Sequence, residues 1–205
     1  MVSFADWKKE FLSNKFRILI SLLFLVIAGF IYFVSGTYAQ SVGYASVSDI
    51  ILDHIPVVNL SWIYTWGFIL VIAVMFFYPL FFNVKEFHIA LSQFSQLVLI
   101  RSFFVALTHL KAPVGAFIVE PVSFISFLSF QNDLFFSGHT AVPFLGYLIF
   151  RKEKIRYFFL AATFVMAATV LLMHLHYSID VFAALFIAYG SYRICELIFK
   201  RINLH

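Results

Sequence analysis

Ile18-Leu19-Ile20-Ser21-Leu22-Leu23-Phe24-Leu25-Val26-Ile27-Ala28-Gly29-Phe30-Ile31-Tyr32-Phe33-Val34 carries no charge from end to end. A helix needs about 20 such residues to cross ~30 Å of hydrocarbon, so this run reads as a membrane span. Comparable runs follow at Leu60–Phe82, Phe87–Thr108, Leu134–Phe150, Ile155–Met173 and Tyr177–Phe199. The fourth has the weakest pattern, because its purely apolar part begins only after His139. Composition agrees: the 205 residues are 63% hydrophobic and only 12% charged, with 29 Phe and a mean hydropathy of +0.97. A soluble domain is far less apolar. The sequence therefore predicts an all-α, polytopic membrane protein, a bundle of six transmembrane helices forming one membrane domain over 1–205. No cleavable signal peptide is expected, since the apolar run after Lys15 and Arg17 is too long and no small-residue cleavage site follows it.

The basic residues orient the bundle. Apart from Arg101 and Lys111, every Lys and Arg lies in the amino-terminal segment, at Lys85, in Arg151–Arg156 or from Arg193 onward. The positive-inside rule then predicts both termini in the cytoplasm. The formal charge of +4 is a topology signal and gives no soluble basic face for nucleic acid. Cys195 is the single cysteine, which excludes a disulfide framework. Met1–Phe16 mixes charge with Phe4, Trp7 and Phe11 and reads as an interfacial amphipathic segment. Ser35–Asn59 and Lys111–Asp133 read as outer loops, the second broken by Pro113 and Pro121, with Phe124–Phe130 in the headgroup layer. Neither an internal repeat nor a second domain is evident.

Polar groups inside the spans are costly and usually have an assignment. The third span holds Ser92, Gln93, Ser95, Gln96 and Arg101. Arg101 is either a snorkelling or ion-paired residue, or a guanidinium whose planar fork faces a phosphate. His176 and Asp180 are spaced to share one helix face. Such a pair is either a buried structural couple or a tautomer-fixed imidazole with its other nitrogen free as a nucleophile. His139 opens the fourth span after Gly138, at a helix end whose free N–H groups favour an anion. Gly138 permits close backbone approach, and Ser137 adds a hydroxyl. By topology the two histidines return to one face. A channel, transporter or lipid scaffold using His139, His176 and Asp180 as a proton or zinc site is the non-catalytic alternative. Against it, the charges gather near one face instead of lining a path across the bilayer.

Together these stretches resemble the type 2 phosphatidic acid phosphatase superfamily of metal-independent, integral-membrane lipid phosphate enzymes. The closer likeness is to its sphingomyelin synthase branch. Asp133-Leu134-Phe135-Phe136-Ser137-Gly138-His139-Thr140 is similar to that branch's Gly-Asp-aromatic-x-Phe-Ser-Gly-His-Thr block. His174-Leu175-His176-Tyr177-Ser178-Ile179-Asp180-Val181 is similar to its His-x-His-Tyr-(Ser/Thr)-hydrophobic-Asp-Val block. Arg101, Leu107-Thr108 and Pro113 resemble the segment closing its third span. The likeness covers 87–199, the expected catalytic core. Departures are Val170 in place of the broader superfamily's Arg, the lack of a Lys–Arg-Pro block, Asn132 in place of Gly, and a Pro-rich turn reduced to Pro113.

The resemblance implies that His176 attacks phosphorus to form a phosphohistidine, Asp180 orients it, and His139 serves as acid and then base. It implies phosphate binding by Arg101, Ser137 and Gly138, and a cavity lined by Asp133, His174 and Tyr177. It implies no metal and no cofactor, with a phospholipid donor and a ceramide or diacylglycerol acceptor as substrates. Hydrolysis by a lipid phosphate phosphatase is the alternative within the superfamily. A bacterial inner membrane, with the site on the periplasmic side, is the expected location. His54, His109 and Glu120 read as solvated or capping loop residues, and Arg193 and Glu196 as an interfacial pair.

Overall fold

The computed structural model describes residues 4–42, 45–119, 130 and 134–201. A short helix α1 (Phe4–Ser13) breaks at Asn14, whose amide side chain donates to Glu10 O at 3.0 Å. Helix α2 then runs over Lys15–Val42, past the expected end at Val34. Ser35, Gly36 and Thr37 do not stop it. Thr37 returns its hydroxyl proton to Phe33 O and Ser41 does the same to Tyr38 O, so the polar side chains are satisfied within the helix. Gly36 serves packing: a Cβ there would overlap the ring of Phe130.

A π-helical turn, Ile63–Gly67, leads into α3 (Phe68–Phe82), and Asn83 alone separates α3 from α4 (Val84–Leu107). Then come α5 (Gly138–Ile149), α6 (Arg156–Leu172) and α7 (Ser178–Arg201). Each expected span overlaps a helix. Among the described residues, four helical stretches are long and apolar enough to cross a membrane: Lys15–Val42, Ile63–Phe82, Val84–Leu107 and Ser178–Arg201. Helix α6 is apolar but has 17 residues, and α5 has 12, which is about 18 Å of rise. Helix α5 falls short of the expected Leu134–Phe150 because the chain before it is not helical. Phe135 and Phe136 take left-handed backbone angles, φ 62° and 37°, and the helix starts only at Gly138.

Helix α4 is the hub, packing chiefly on α2 and also on α3 and α7, while α5 lies between α6 and α7. Its polar residues work as interhelical links. Ser92 Oγ meets Ser21 Oγ of α2 at 2.8 Å, and Gln96 donates to Ser191 O of α7 at 2.9 Å. Such bonds suit a medium that offers helices little hydrophobic drive to associate. The core they surround is built from Val71, Met75, Leu97, Phe136, Leu145, Phe159 and Ala184. Much of α2 stays bare, with Leu19, Leu23, Val26 and Phe30 exposed, as an integral membrane helix requires.

The two ends of the bundle differ. At one end Lys85 pairs with Glu10, Asn83 with Glu153, and Glu196 with both Arg151 and Arg193. At the other end a second, smaller core of Leu52, Leu134 and Tyr177 lies under the two loops that also hold Lys111. The histidine motifs sit at this second end.

Candidate active site

His176 and Asp180 are brought together, but not as neighbours on a helix. Helix α6 stops at Leu172, His174 turns left-handed at φ 53°, and α7 starts only at Ser178. His176 therefore lies in the turn before the helix. This corrects the expectation that His176 and Asp180 share one helix face. Asp180, in the first turn of α7, reaches back with one oxygen. Its Oδ2 accepts the Tyr177 N–H at 3.0 Å and stands 3.3 Å from His176 Nδ1. A carboxylate returning from the third helical residue to the preceding backbone N–H is half of a capping box. Here the same atom also fixes the imidazole.

The second motif joins it through the backbone. Ser137 N–H donates to Asp180 O at 3.0 Å, which fastens the start of α5 to the start of α7. Gly138 and His139 open α5, where N–H groups have no helical partner. Arg101 is buried and donates from Nη1 to Phe136 O. The left-handed residues 135 and 136 turn that carbonyl toward α4. Its guanidinium runs beside Gly138, where an added Cβ would lie 3.4 Å from Nε. The His139 imidazole lies within electrostatic reach of both Arg101 and His176. Non-glycine residues with positive φ cost about 1–3 kcal/mol each and persist only where surroundings impose them. All three here flank the two motifs.

Unsatisfied groups gather in the same place. Among the described residues, five buried side-chain atoms lack a hydrogen-bond partner, and four are Ser137 Oγ, Thr140 Oγ1, His174 Nε2 and Asp180 Oδ1. Buried polar atoms are rarely left so, which marks the two motifs as a site with binding capacity to spare. Tyr177 is different. It is 1% exposed, and its hydroxyl donates to Lys111 O at 2.9 Å and accepts from Val47 N–H at 3.1 Å. It clamps both loops. Asp133 and Glu120 lie outside the described residues, as does most of Phe124–Phe130. His54 bonds the Ile50 carbonyl of its own loop, and His109 the Ala106 carbonyl in the last turn of α4.

Two contributions escaped the sequence. The ring of His139 stacks on Tyr64 at 4.0 Å between centroids and lies 4.1 Å from Phe68. Both belong to the π turn and its continuation, a distortion common at functional sites. Asp49, in the first loop, accepts the Ser178 N–H at 2.6 Å and the Ile51 and Leu52 N–H groups at 2.9 and 3.2 Å. The aspartate–turn spacing before a 3-10 helix (Leu52–His54) was a readable signal for its local bonds. Nothing in the sequence pointed to Ser178. Among the described residues no group of three or more His, Cys, Asp or Glu side chains converges as a metal site.

What the geometry defines is a pair of histidines, one carboxylate-held and one ring-packed, beside a buried guanidinium in an apolar helical bundle. Residues 132–196, about a third of the chain, match the family model described as PAP2 superfamily C-terminal. That match supports the type 2 phosphatidic acid phosphatase superfamily for the segment carrying both motifs, and with it an enzyme of the lipid phosphatase or phosphotransferase type acting at the bilayer. No curated protein matches the chain.

Proposed function

We propose that the protein is a metal-independent lipid phosphotransferase of the sphingomyelin synthase-like kind. The observation that carries this reading is the carboxylate hold on His176: Asp180 Oδ2 lies 3.3 Å from Nδ1, which leaves Nε2 free. The lone pair of His176 Nε2 attacks phosphorus, and the bond to the departing lipid oxygen breaks as His139 gives that oxygen its proton. The Nδ1 proton stays on the imidazole, and Asp180 stabilises the positive charge that the ring acquires. The hydroxyl of a ceramide or diacylglycerol then gives its proton to His139, its oxygen attacks phosphorus, and the P–N bond breaks. The guanidinium of Arg101, the Ser137 hydroxyl and the amides of Gly138 and His139 hold the phosphoryl oxygens. Tyr64 and Phe68 present ring faces that attract His139 in its cationic form. His174 adds an unsatisfied buried nitrogen in the turn that carries His176. The substrate is thus a phospholipid drawn from the bilayer itself.

The division of charge between the loops supports a six-span topology in one membrane domain, termini in the cytoplasm and the site on the extracytoplasmic face of a bacterial inner membrane. Hydrolysis uses the same residues with water as acceptor, and the family match is shared by both outcomes. Purified protein in detergent, exhaustively chelated, is given phosphatidylcholine, phosphatidylethanolamine or phosphatidic acid together with ceramide or diacylglycerol. Formation of a new phospholipid, blocked by vanadate, is the expected result. Free phosphate instead makes the protein a phosphatase. Activity abolished by chelation and restored by zinc overturns the reading in favour of a metal site.

A further inference from the structure

The turn that presents His176 is held from outside its own motif. Asp49 is buried, and it bonds in two directions. Oδ1 caps the Leu52–His54 turn of its own loop through the Ile51 and Leu52 N–H groups. Oδ2 crosses to α7 and takes the N–H of Ser178, its first residue, at 2.6 Å. That N–H is one of the donors a helix cannot satisfy from within. Its neighbour, the Tyr177 N–H, is taken by Asp180 Oδ2, the same atom that faces His176. Two carboxylates therefore divide two consecutive amides. Val47, in the same loop, donates its N–H to the Tyr177 hydroxyl, so the loop grips the turn at two adjacent residues.

From this division we infer that Asp49 is a positioning residue for the reaction at His176. With Ser178 N–H taken by Asp49, the carboxylate of Asp180 stays on Tyr177 N–H and His176 Nδ1. Without Asp49 the half-buried Ser178 N–H loses its acceptor, and Asp180, two residues on, carries an unpartnered carboxylate oxygen that can answer it. Its oxygen would turn from His176 toward Ser178, and the imidazole would lose its fixed orientation while the substrate-facing groups of α4 and α5 stayed in place. Asp49 acts through Asp180 and touches no substrate. The inference rests on the phosphotransfer reading of this site.

Asp49→Asn is the informative change, because Asn keeps one acceptor oxygen to cap Ile51 and Leu52 and turns an N–H donor toward Ser178. Asp53→Asn, at an exposed carboxylate of the same loop, is the control. Full-length protein in detergent is assayed on phosphatidylcholine, phosphatidylethanolamine and phosphatidic acid with ceramide as the acceptor, so that the product differs from the donor. Active sites are counted as the phosphohistidine trapped by alkaline quench. Asp49→Asn is expected to lower kcat per active site about tenfold to a hundredfold, as misplacement of a reacting group does, with KM within about threefold of the parent. Asp53→Asn is expected to match the parent. Parental kcat per site in Asp49→Asn overturns the inference, and so does a loss of activity that follows only the number of active sites, since that is a folding effect. A parent chain that turns over none of these lipids overturns the proposed function and this inference with it.

Discussion

Replacing Asp180 by Asn isolates the charge on the carboxylate from its geometry. The new carbonyl oxygen can stand where Oδ2 stands and still accept the Tyr177 N–H that begins α7, so the turn keeps its main bond. The amide nitrogen falls at the place of Oδ1, which is buried and has no partner. What disappears is a full negative charge 3.3 Å from His176 Nδ1, worth about 5 kcal/mol at an effective dielectric of roughly 20. That figure bounds the loss from above. The lower bound is the difference between a charged and a neutral hydrogen bond, about 1 kcal/mol. A loss near 3 kcal/mol lowers kcat by about two powers of ten. Rapid-quench measurement of phosphoenzyme formation places the defect in the first half-reaction, where positive charge develops on the imidazole. A variant forming phosphoenzyme within about threefold of the parental rate would refute the role of this carboxylate.

Arg101→Lys is expected to lower kcat/KM about tenfold to a hundredfold, because a point charge cannot keep the bond to Phe136 O and also grip two phosphoryl oxygens; steady-state kinetics checks it. Gly146→Ala is expected to destabilise by about 1–3 kcal/mol, since the new Cβ would overlap the fully buried ring of Phe159 and push α5 from α6. The thermal midpoint in detergent is the readout. For Asp49, burial pushes the carboxyl pKa up, but the Ser178, Leu52 and Ile51 amides outweigh it and hold the group below its ordinary value of 3.8. A folded pKa below the unfolded one adds stability above that ordinary value, lost as pH falls through the lowered one. Protection from hydrogen exchange at residues 47–54, corrected for the intrinsic rate, should therefore be level from about pH 8 to 5 and weaken only below about pH 4.

Local patterns made much of this legible. Apolar runs marked the place of helices α2 to α7, four stretches of which are long and apolar enough to cross a membrane, and the motif residues His139, His176, Asp180, Ser137 and Arg101 meet at one end. Helix ends were harder, because they depend on partners. Val34 looked like an end since polar residues follow it, yet those hydroxyls bond back into the helix. His176 looked helical from its spacing to Asp180, whereas the bond from Asp180 back to Tyr177 marks where the helix begins. Tyr64, Phe68 and Asp49 were invisible because their roles arise from contacts with α5 and α7, far along the chain. Their own neighbours in sequence give no hint of them.

Tyr177 is bonded to Val47 and Lys111 across the length of the protein. During synthesis the clamp has to wait for its last member. Helices α2 to α6 leave the ribosome before the residue that joins Val47 to Lys111 through one hydroxyl has been made. Its timing implies that catalytic competence comes late and all at once, as the final helix enters the bilayer. A fragment confined to 87–199 would retain every motif residue yet lack Val47, Asp49 and the rings that pack His139. Such a piece should insert into membranes without turning over lipid, and co-expression of residues 1–86 as a separate chain should restore activity.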